Sequence, residues 1–348
     1  MSRLVVVGAG VSGVSAAAAA VAAGATVTLL DQGRQPGGRL GLRRLPDGRP
    51  VDTGAAYLTA RSDHFRAHVD DWRRVGVIAE WTDTIDVVDG DGWHRGVPGP
   101  MRWAAPAGLR GLVEHDVATL VERSGVVAEQ TRVVAVLPDA TGVNVVAAPW
   151  PTAPAPDSAP ATSPIPAGEP PQVTYRADGV ILAMPGPQAR RLGPAPGPDY
   201  EPVISVWAGY AHREWRAFAA AFINDHPILG FLADDGSRRG DGAAVLVAHT
   251  TADFAAAHLD DPDGAHGPVL AAVAEVTGWG GEPSVSGVMR WGMARPIATE
   301  TAPFGWCGDR VAVCGDSWHV AAGERSRVES AWLSGRAAGS ALAGLDTR

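Results

Sequence analysis

Lysine is absent from the chain, because all 29 basic residues among its 348 are arginine. Without a side-chain primary amine, the protein cannot form a lysine Schiff base with a carbonyl substrate. It also cannot bind phosphate through a P-loop lysine or use lysine as a general base. These three classes of chemistry are excluded.

Cysteine is scarce as well. Cys307 and Cys314 are seven positions apart, which matches neither a CxxC redox pair nor a zinc-binding spacing. This pattern predicts two reduced thiols in a cytoplasmic protein, with Cys314 buried in a strand.

Charged residues make up only 19% of the chain, and the formal net charge is -9 with no long basic run. This distribution argues against nucleic acid or an anionic membrane surface as a partner. The apolar fraction of 46% is sufficient to bury a sizeable core. At roughly 150 residues per domain, the length predicts about two domains.

One stretch without charged residues runs from Leu4 to Leu30 and follows Arg3. Such a stretch leaves a signal peptide or a membrane-spanning helix as an alternative. However, it contains four glycines and its middle is mostly alanine, whereas a spanning helix is usually rich in Leu, Ile and Val. We therefore favour a folded segment of a soluble protein.

The same stretch carries a glycine-rich turn. An apolar strand at 4–7 is followed by a GxGxxG sequence, an alanine-rich helix closed by Gly24, and a second strand that ends at Asp31. In this order, the first glycine permits the tight turn, the second lets the backbone approach a pyrophosphate and the third lets the helix pack on the sheet. The helix N-terminus favours phosphate, and the acidic residue accepts hydrogen bonds from ribose hydroxyls. The predicted dinucleotide contacts are Gly8, Gly10, Val11, Ser12, Gly13 and Asp31.

A second glycine segment distinguishes between dinucleotides. Gly37-Gly38-Arg39 follows Asp31 by six residues, and the sequence DTGA follows at 52–55. This arrangement resembles the flavin-binding amine oxidase superfamily, in which a GGR segment contacts FAD. The resemblance implies FAD, bound non-covalently, with further contacts from Gly38, Arg39, Gly54 and Ala55.

Patterns in the rest of the chain indicate its organisation. Residues 63–76 predict an amphipathic helix with Phe65, Val69, Trp72 and Gly76 on one face, and His64 and His68 on it are interpreted as solvated rather than as metal ligands. Strands that form a hairpin are predicted at 126–146. A return strand is predicted at 175–184, and two further strands at 290–296 and 310–316. A proline-rich insertion at 149–172 separates two of them, and a helix closes the chain at 328–345. We assign 1–60, 107–190 and 285–348 to a cofactor domain, and 61–106 and 191–284 to a substrate domain.

Over nearly its whole length, the chain resembles renalase and the bacterial renalase-like FAD oxidoreductases. The segments that carry the resemblance are DTGAAYLTAR at 52–61, GFLADDGSRRG at 230–240, AHTT at 248–251, RW at 290–291, CGD at 314–316 and RVESAWLSG at 327–335. The resemblance implies an α/β fold in which a Rossmann-type FAD-binding domain carries an inserted α+β substrate domain. It also implies oxidation of dihydronicotinamide isomers other than ordinary NAD(P)H, with hydride passing to the flavin and O2 being reduced to H2O2.

This chain departs from the family pattern in three places. Ala56 replaces a glutamine. The loss of that side-chain amide is expected to alter how the protein recognises the amide of a nicotinamide. The family's lysine after the two aspartates is Arg238 or Arg239 here. The loop from 316 to 327 is longer, which is expected to bring Trp318, His319 and Glu324 near the flavin.

The resemblance also implies the site residues. Trp291 would flank the substrate as an aromatic surface, and His249 would hydrogen-bond the substrate or a flavin carbonyl. The predicted catalytic residues are Trp291, His249, Tyr57 and Thr59, and the remaining cofactor contacts are Gly315, Asp316, Val328 and Glu329. We also expect Arg61, Arg238 and Arg239 to be able to clamp the phosphates of a dinucleotide substrate.

Two other functions stay open. In the first, the same scaffold oxidises an amine or a ring bond of a specialised metabolite, although amine oxidases of the superfamily use a lysine that this chain lacks. In the second, the flavin is structural or a redox sensor. Neither a Ser-His-Asp order nor a pair of carboxylates supports a hydrolase, and the sequence leaves the oligomeric state undetermined.

Overall fold

The computed structural model describes residues 1–150 and 171–345. The predicted proline-rich insertion lies, from 151 to 170, outside the described residues. Numbered in chain order, the first strands are β1 (Arg3–Val7), β2 (Thr26–Leu30), β3 (Leu42–Arg44), β4 (Pro50–Asp52), β5 (Ala79–Thr82), β6 (Asp86–Asp89), β7 (Gly92–His94), β8 (Arg102–Ala104), β9 (Val126–Ala128), β10 (Thr131–Asp139) and β11 (Gly142–Pro149). The later strands are β12 (Val173–Ala177), β13 (Gly179–Ala183), β14 (Tyr200–Gly209), β15 (Ala220–Ile223), β16 (Leu229–Asp234), β17 (Val245–Thr250), β18 (Val285–Pro296), β19 (Gly305–Trp306) and β20 (Val311–Cys314). The helices are α1 (Val11–Ala22), α2 (Asp63–Arg74), α3 (Arg110–Glu122), α4 (Gly186–Ala189), α5 (Asp235–Arg239), α6 (Ala252–Ala257), α7 (His266–Thr277) and α8 (Val328–Ala343), with a 3-10 turn at Asp263–Ala265.

A six-stranded sheet in the order β19-β20-β13-β1-β2-β9 forms the first layer. Its inner strands are parallel, and β19 joins one edge antiparallel. Strands β1 and β20 are apolar runs buried on both faces, as parallel strands between two layers are. Helices α1, α3 and α8 contribute to the core on one face, and the sheet β10-β11-β12 covers the other. The predicted Rossmann-type α/β arrangement is confirmed.

The contact between α1 and α8 depends on small residues. A Cβ at Gly335 would lie 1.9 Å from the Ser12 carbonyl oxygen, and one at Gly339 would lie 2.1 Å from that of Ala16. The glycines of α8 therefore pack against the backbone of α1. The uncharged stretch from 4 to 30 is the unit β1–α1–β2 of this layer, and none of the helices within the described ranges has the length and apolarity needed to cross a membrane.

A seven-stranded sheet in the order β18-β14-β17-β16-β15-β6-β7 forms the second layer. It is antiparallel except where β15 runs parallel to β6. One face packs on α6 and α7 through residues such as Ile204 and Leu246. Sequence patterns placed β18 in the cofactor domain, but it pairs with β14 along its length. The other domain boundaries stay predictions.

Two elements differ locally from their predictions. The return strand at 175–184 is split into β12 and β13, because Asp178 bends the chain and exchanges hydrogen bonds with the backbone of Arg3. Helix α2 buries Phe65, Val69 and Trp72 as predicted but ends before Gly76. His68 on that helix is only partly solvated. Its Nε2 lies 3.0 Å from an Asp116 carboxylate oxygen, and its ring stacks on Trp332.

Candidate functional site

A cavity of about 3100 Å³ lies between the two sheets. Its lining runs from the turn after β1, across the ends of β2 and β13, to one face of the seven-stranded sheet. Small-molecule sites usually enclose about 300–1,000 Å³. The cavity is therefore large enough for a dinucleotide together with a second ligand.

The three glycines of the first motif have different tasks. Gly8 has a φ of +106°, and a Cβ there would lie 2.5 Å from the Ala183 carbonyl oxygen. A Cβ at Gly13 would lie 1.7 Å from the Gly8 carbonyl oxygen, so the fold itself requires both. Gly10 has an ordinary φ of -79°, and its Cβ would meet only the Cα of Gly38 at 3.9 Å. Since Gly10 lines the cavity, its missing side chain leaves space for a ligand rather than for the protein.

The N-terminus of α1 opens onto this space. None of the described side chains caps it, and its first turn contains no acidic residue. Val11 and Ser12 line the cavity there, where unpaired backbone N–H groups and the helix dipole attract an anion. At the end of β2, the Asp31 carboxylate accepts hydrogen bonds from the N–H groups of Ala9 and Gly33, both at 2.6 Å. These bonds orient the carboxylate, and each oxygen keeps a lone pair for a ligand hydroxyl.

The second glycine segment is fastened to the first. The Gly37 N–H donates to the Ala9 carbonyl at 2.8 Å, and the φ angles of Gly37 and Gly38 are +127° and +54°. Non-glycine residues rarely adopt such angles. Gly38 and Arg39 both line the cavity beside Gly10.

Arg39 and Asp316 form a bidentate ion pair at the cavity surface. Two guanidinium nitrogens of Arg39 lie 2.9 and 2.6 Å from the two carboxylate oxygens of Asp316. The hydroxyl of Tyr200 donates to the same carboxylate at 2.8 Å, and burial together with Asp316 raises the pKa of Tyr200 well above its usual value. Sequence reasoning missed Tyr200, because nothing in the chain marks the first residue of β14 as a partner of Asp316.

Trp291 is held against the segment that follows β4. Its indole N–H donates to the Thr53 carbonyl at 2.7 Å, and its ring fills the space beside Gly41, where a Cβ would approach to 2.7 Å. Gly54, Ala55, Tyr57 and Thr59 of the adjacent segment line the cavity with it. The structure therefore brings Trp291, Tyr57 and Thr59, which we predicted for the substrate, beside Gly54 and Ala55, which we predicted for the cofactor.

His249 extends from β17 into the same part of the cavity. Its ring lies 5.6 Å from that of Phe231, which lies 6.3 Å from the ring of Tyr57. Burial, with the charges of Arg295 and Arg238, lowers the pKa of His249 to about 4. The imidazole is therefore neutral at pH 7.

Glu329 does not line the cavity, which differs from its prediction as a cofactor contact. Its buried carboxylate accepts hydrogen bonds from the backbone of Arg61 and from the backbone and hydroxyl of Ser62. It therefore fastens α8 to the start of α2. Its neighbour Val328 and the more distant Gly315 do line the cavity.

The loop from 316 to 327 reaches the cavity only in part. Glu324 lines it and bridges Arg61 and Arg327, at 2.6 and 2.7 Å. Trp318 points elsewhere, into a buried contact with Gly305, and neither it nor His319 is among the lining residues. The expectation that both approach the cofactor is wrong, because the loop folds back on the edge of the first sheet.

The predicted phosphate clamp is wrong for two of its three arginines. The side chains of Arg238 and Arg239 are 1% exposed and pair with buried carboxylates. Arg238 binds Asp52 and Asp235, and it donates to the Ala56 carbonyl. Arg238 therefore connects α5 to β4 and the segment after it, whereas Arg239 pairs with Asp235 and Asp241 in its own segment, and neither lines the cavity.

The charge of the cavity is opposite to that of the whole chain. Thirteen arginines line it, against four carboxylates: Asp31, Asp263, Asp316 and Glu324. The formal net charge of the chain is nevertheless -9. Clustered guanidinium groups bind phosphates well and concentrate anions in a cleft, so the cavity suits anionic ligands.

Comparison with known proteins supports the fold. Residues 6–72 match the family of NAD(P)-binding Rossmann-like domains. The whole chain is similar to a candidate protoporphyrinogen oxidase from Exiguobacterium sp. 255-15, with 13% identity and a TM-score of 0.73. It is also similar to putrescine oxidase, with 14% identity and a TM-score of 0.68, and to cyclohexylamine oxidase from Brevibacterium oxydans IH-35A, with 11% identity and a TM-score of 0.68. Each match covers 98% of both chains, which shows that the two-layer architecture is shared.

Proposed function

We propose that the protein is an FAD-dependent oxidase of the renalase type, which takes hydride from a dihydronicotinamide isomer and reduces O2 to H2O2. The observation that carries this proposal is the cavity itself. It joins a dinucleotide-binding glycine turn to an aromatic surface on a second sheet, and its lining is rich in arginine.

The residues at the glycine end fit FAD. Gly10 leaves open space, the start of α1 is uncapped, and Asp31 retains lone pairs for ribose hydroxyls. Gly38 and Arg39 extend the same surface toward Trp291. Neither cysteine lines the cavity, which supports non-covalent binding.

At the other end, the chain's own residues would bind and orient the substrate. FAD, when bound, supplies the hydride acceptor, so the protein contributes position, polarity and exclusion of water. Trp291 is immobilised by its bond to Thr53 and offers a flat surface for a planar ring. Tyr57 and Phe231 extend that surface, and His249 adds a neutral hydrogen-bonding group.

Oxidation of an amine is a second candidate, because the fold is shared with oxidases named for putrescine and cyclohexylamine. A protonated amine in a desolvated site is usually paired with a carboxylate. Asp316 and Glu324 already pair with arginines, and Asp31 lies at the glycine end. The remaining one, Asp263, is exposed on a turn. This distribution of charge favours the phosphate-bearing nicotinamide substrate over the amine.

Anaerobic flavin reduction tests the proposal. Purified protein should be yellow and should release intact FAD on denaturation. Its flavin absorbance should then be bleached by 2- or 6-dihydro-NAD(P), and far more slowly by ordinary NADH, putrescine or cyclohexylamine. Bleaching by an amine alone would assign the second function, whereas protein that cannot be loaded with FAD would overturn both.

A further inference from the structure

Ser205 and His249 are directly opposite each other in the second sheet. They are paired residues of the antiparallel strands β14 and β17. Val203 and Trp207, two positions to either side of Ser205, line the cavity, as does His249, so both side chains lie on the face toward the cavity. Opposed residues of this kind have Cβ atoms about 4.5–5.5 Å apart, which places the hydroxyl and the imidazole within reach of each other.

Both side chains carry a buried polar atom without a partner. Within residues 1–150 and 171–345, the Oγ of Ser205 and the Nε2 of His249 are out of contact with solvent and make no hydrogen bond. Ser205 is fully buried. Buried polar atoms are nearly always hydrogen-bonded. These two unpaired atoms belong to facing residues, so each is a candidate partner for the other.

The chemistry of the neighbours decides the direction of that bond. On its other side Ser205 faces Met289, whose thioether is only a weak acceptor. Of the two side chains that face Ser205 on the neighbouring strands, only His249 therefore offers a strong acceptor for the hydroxyl hydrogen, a nitrogen of its imidazole ring. That nitrogen is free to accept, because burial and the charges of Arg295 and Arg238 keep the ring neutral.

We propose that Ser205 is a positioning residue that donates its hydroxyl hydrogen to His249 Nε2, which fixes the ring proton on Nδ1 and presents an N–H donor to the cavity. The substrate should then carry a hydrogen-bond acceptor at this point, such as the oxygen of a carboxamide. This assignment of a substrate group rests on the function proposed above. The bond between Ser205 and His249 does not.

The ring nitrogens report this bond directly. In FAD-loaded protein labelled with 15N-histidine, the two 15N shifts of each ring distinguish the Nδ1–H form from the Nε2–H form. His249→Gln identifies the His249 signals by their disappearance. We expect the Nδ1–H form in the wild type and a mixture of forms in Ser205→Ala.

A matched control exists in the same sheet. The hydroxyl of Ser286 lies 2.9 Å from His266 Nε2, so Ser286→Ala removes another serine paired with a histidine and should leave the His249 shifts unchanged. An Nε2–H form of His249 in the wild type, or His249 shifts that are the same in Ser205→Ala and the wild type, would overturn the proposal whatever the substrate is.

A double-mutant cycle then tests the consequence for substrate. Because Ser205→Ala removes one buried hydrogen bond and no FAD contact, the variant should keep its FAD content and melt at most a few degrees below the wild type. Its dissociation constant for the best dihydronicotinamide should rise about tenfold, the size of one lost hydrogen bond. In a His249→Gln background the same substitution should have no further effect, and additive effects would show that Ser205 does not act through His249. If no dihydronicotinamide reduces the wild type, the proposed function fails, and the ring shifts still decide the assignment of Ser205.

Discussion

Replacing Gly10 with valine should remove FAD binding without affecting the stability of the apo-protein. The backbone at Gly10 has a φ of -79° and a ψ of 179°, an extended conformation that any residue adopts. A Cβ there would meet only the Cα of Gly38, at an ordinary contact distance of 3.9 Å. The valine side chain would therefore stand in the cavity, where the pyrophosphate of FAD is expected.

The size of the effect follows from the bonds that the displaced pyrophosphate would lose. At least two charge-assisted hydrogen bonds from the N-terminus of α1 would be broken, each worth about 1.5–3 kcal/mol. A loss of about 4 kcal/mol corresponds to roughly a thousandfold weaker binding, at 1.4 kcal/mol for each factor of ten. The free energy of unfolding of the apo-protein should stay within about 0.5 kcal/mol of the wild type.

Two other glycines provide the controls. Gly90 is exposed, lies outside the left-handed region and has no atom within 4 Å of its Cβ position, so Gly90→Val should keep both stability and FAD. Gly13→Val should unfold the apo-protein, because its Cβ would lie 1.7 Å from the Gly8 carbonyl oxygen. Binding is measured by titrating FAD into apo-protein and stability by urea unfolding. Tight, stoichiometric FAD in Gly10→Val, or an apo-protein as unstable as Gly13→Val, would refute the reasoning.

Three further predictions concern the second sheet and its supports. Trp291→Ala should slow flavin reduction by substrate at least tenfold while FAD stays bound, because the immobilised ring surface is lost; a wild-type stopped-flow rate would show that the site is misplaced. Folding lowers the pKa of His249 from 6.5 to about 4. Between these two pH values the histidine is protonated in the unfolded chain but neutral in the folded protein, so the free energy of unfolding falls as the pH drops from 6.5 to 4. His249→Gln should lack this loss of stability, which amounts to about 3 kcal/mol at pH 4. The free energy of unfolding is measured by urea unfolding across this pH range, and the same pH dependence in the variant and the wild type would contradict the prediction. Arg238→Met should cost about 3–5 kcal/mol, because it leaves Asp52 and Asp235 charged and buried; an unchanged melting temperature would show that the pairs do not support the fold.

Sequence patterns predicted the first layer well because its signals are local. The buried run of β1, the glycine turn and the alanines of α1 follow one another directly, and each depends on contacts within about thirty residues. The same holds for the hairpin of β10 and β11 and for the buried face of α2. Rules of spacing and periodicity apply to such segments without knowledge of the rest of the chain.

Side-chain partners were predicted less well where they come from distant parts of the chain. Arg238 and Arg239 look like loop residues available for a phosphate, but both are buried against carboxylates, and one partner of Arg238 is Asp52, 186 positions away. Glu329 lies in the first turn of a helix near the cavity, yet its carboxylate accepts hydrogen bonds from the backbone of Arg61 and Ser62. Nothing in the local sequence distinguishes a charged side chain that meets solvent from one that meets an opposite charge inside the protein.

By itself, the sequence determined that this protein has a dinucleotide-binding β–α–β unit and no lysine chemistry, because both follow from residue types at fixed spacing. Only the tertiary structure decided which charges are neutralised internally and which face the cavity. It also decided that β18 joins the second sheet, and that Ser205 meets His249 across two strands that are 36 residues apart in the chain. Strand pairing and ion pairing depend on the whole fold, since each contact forms only after many others have brought its partners together.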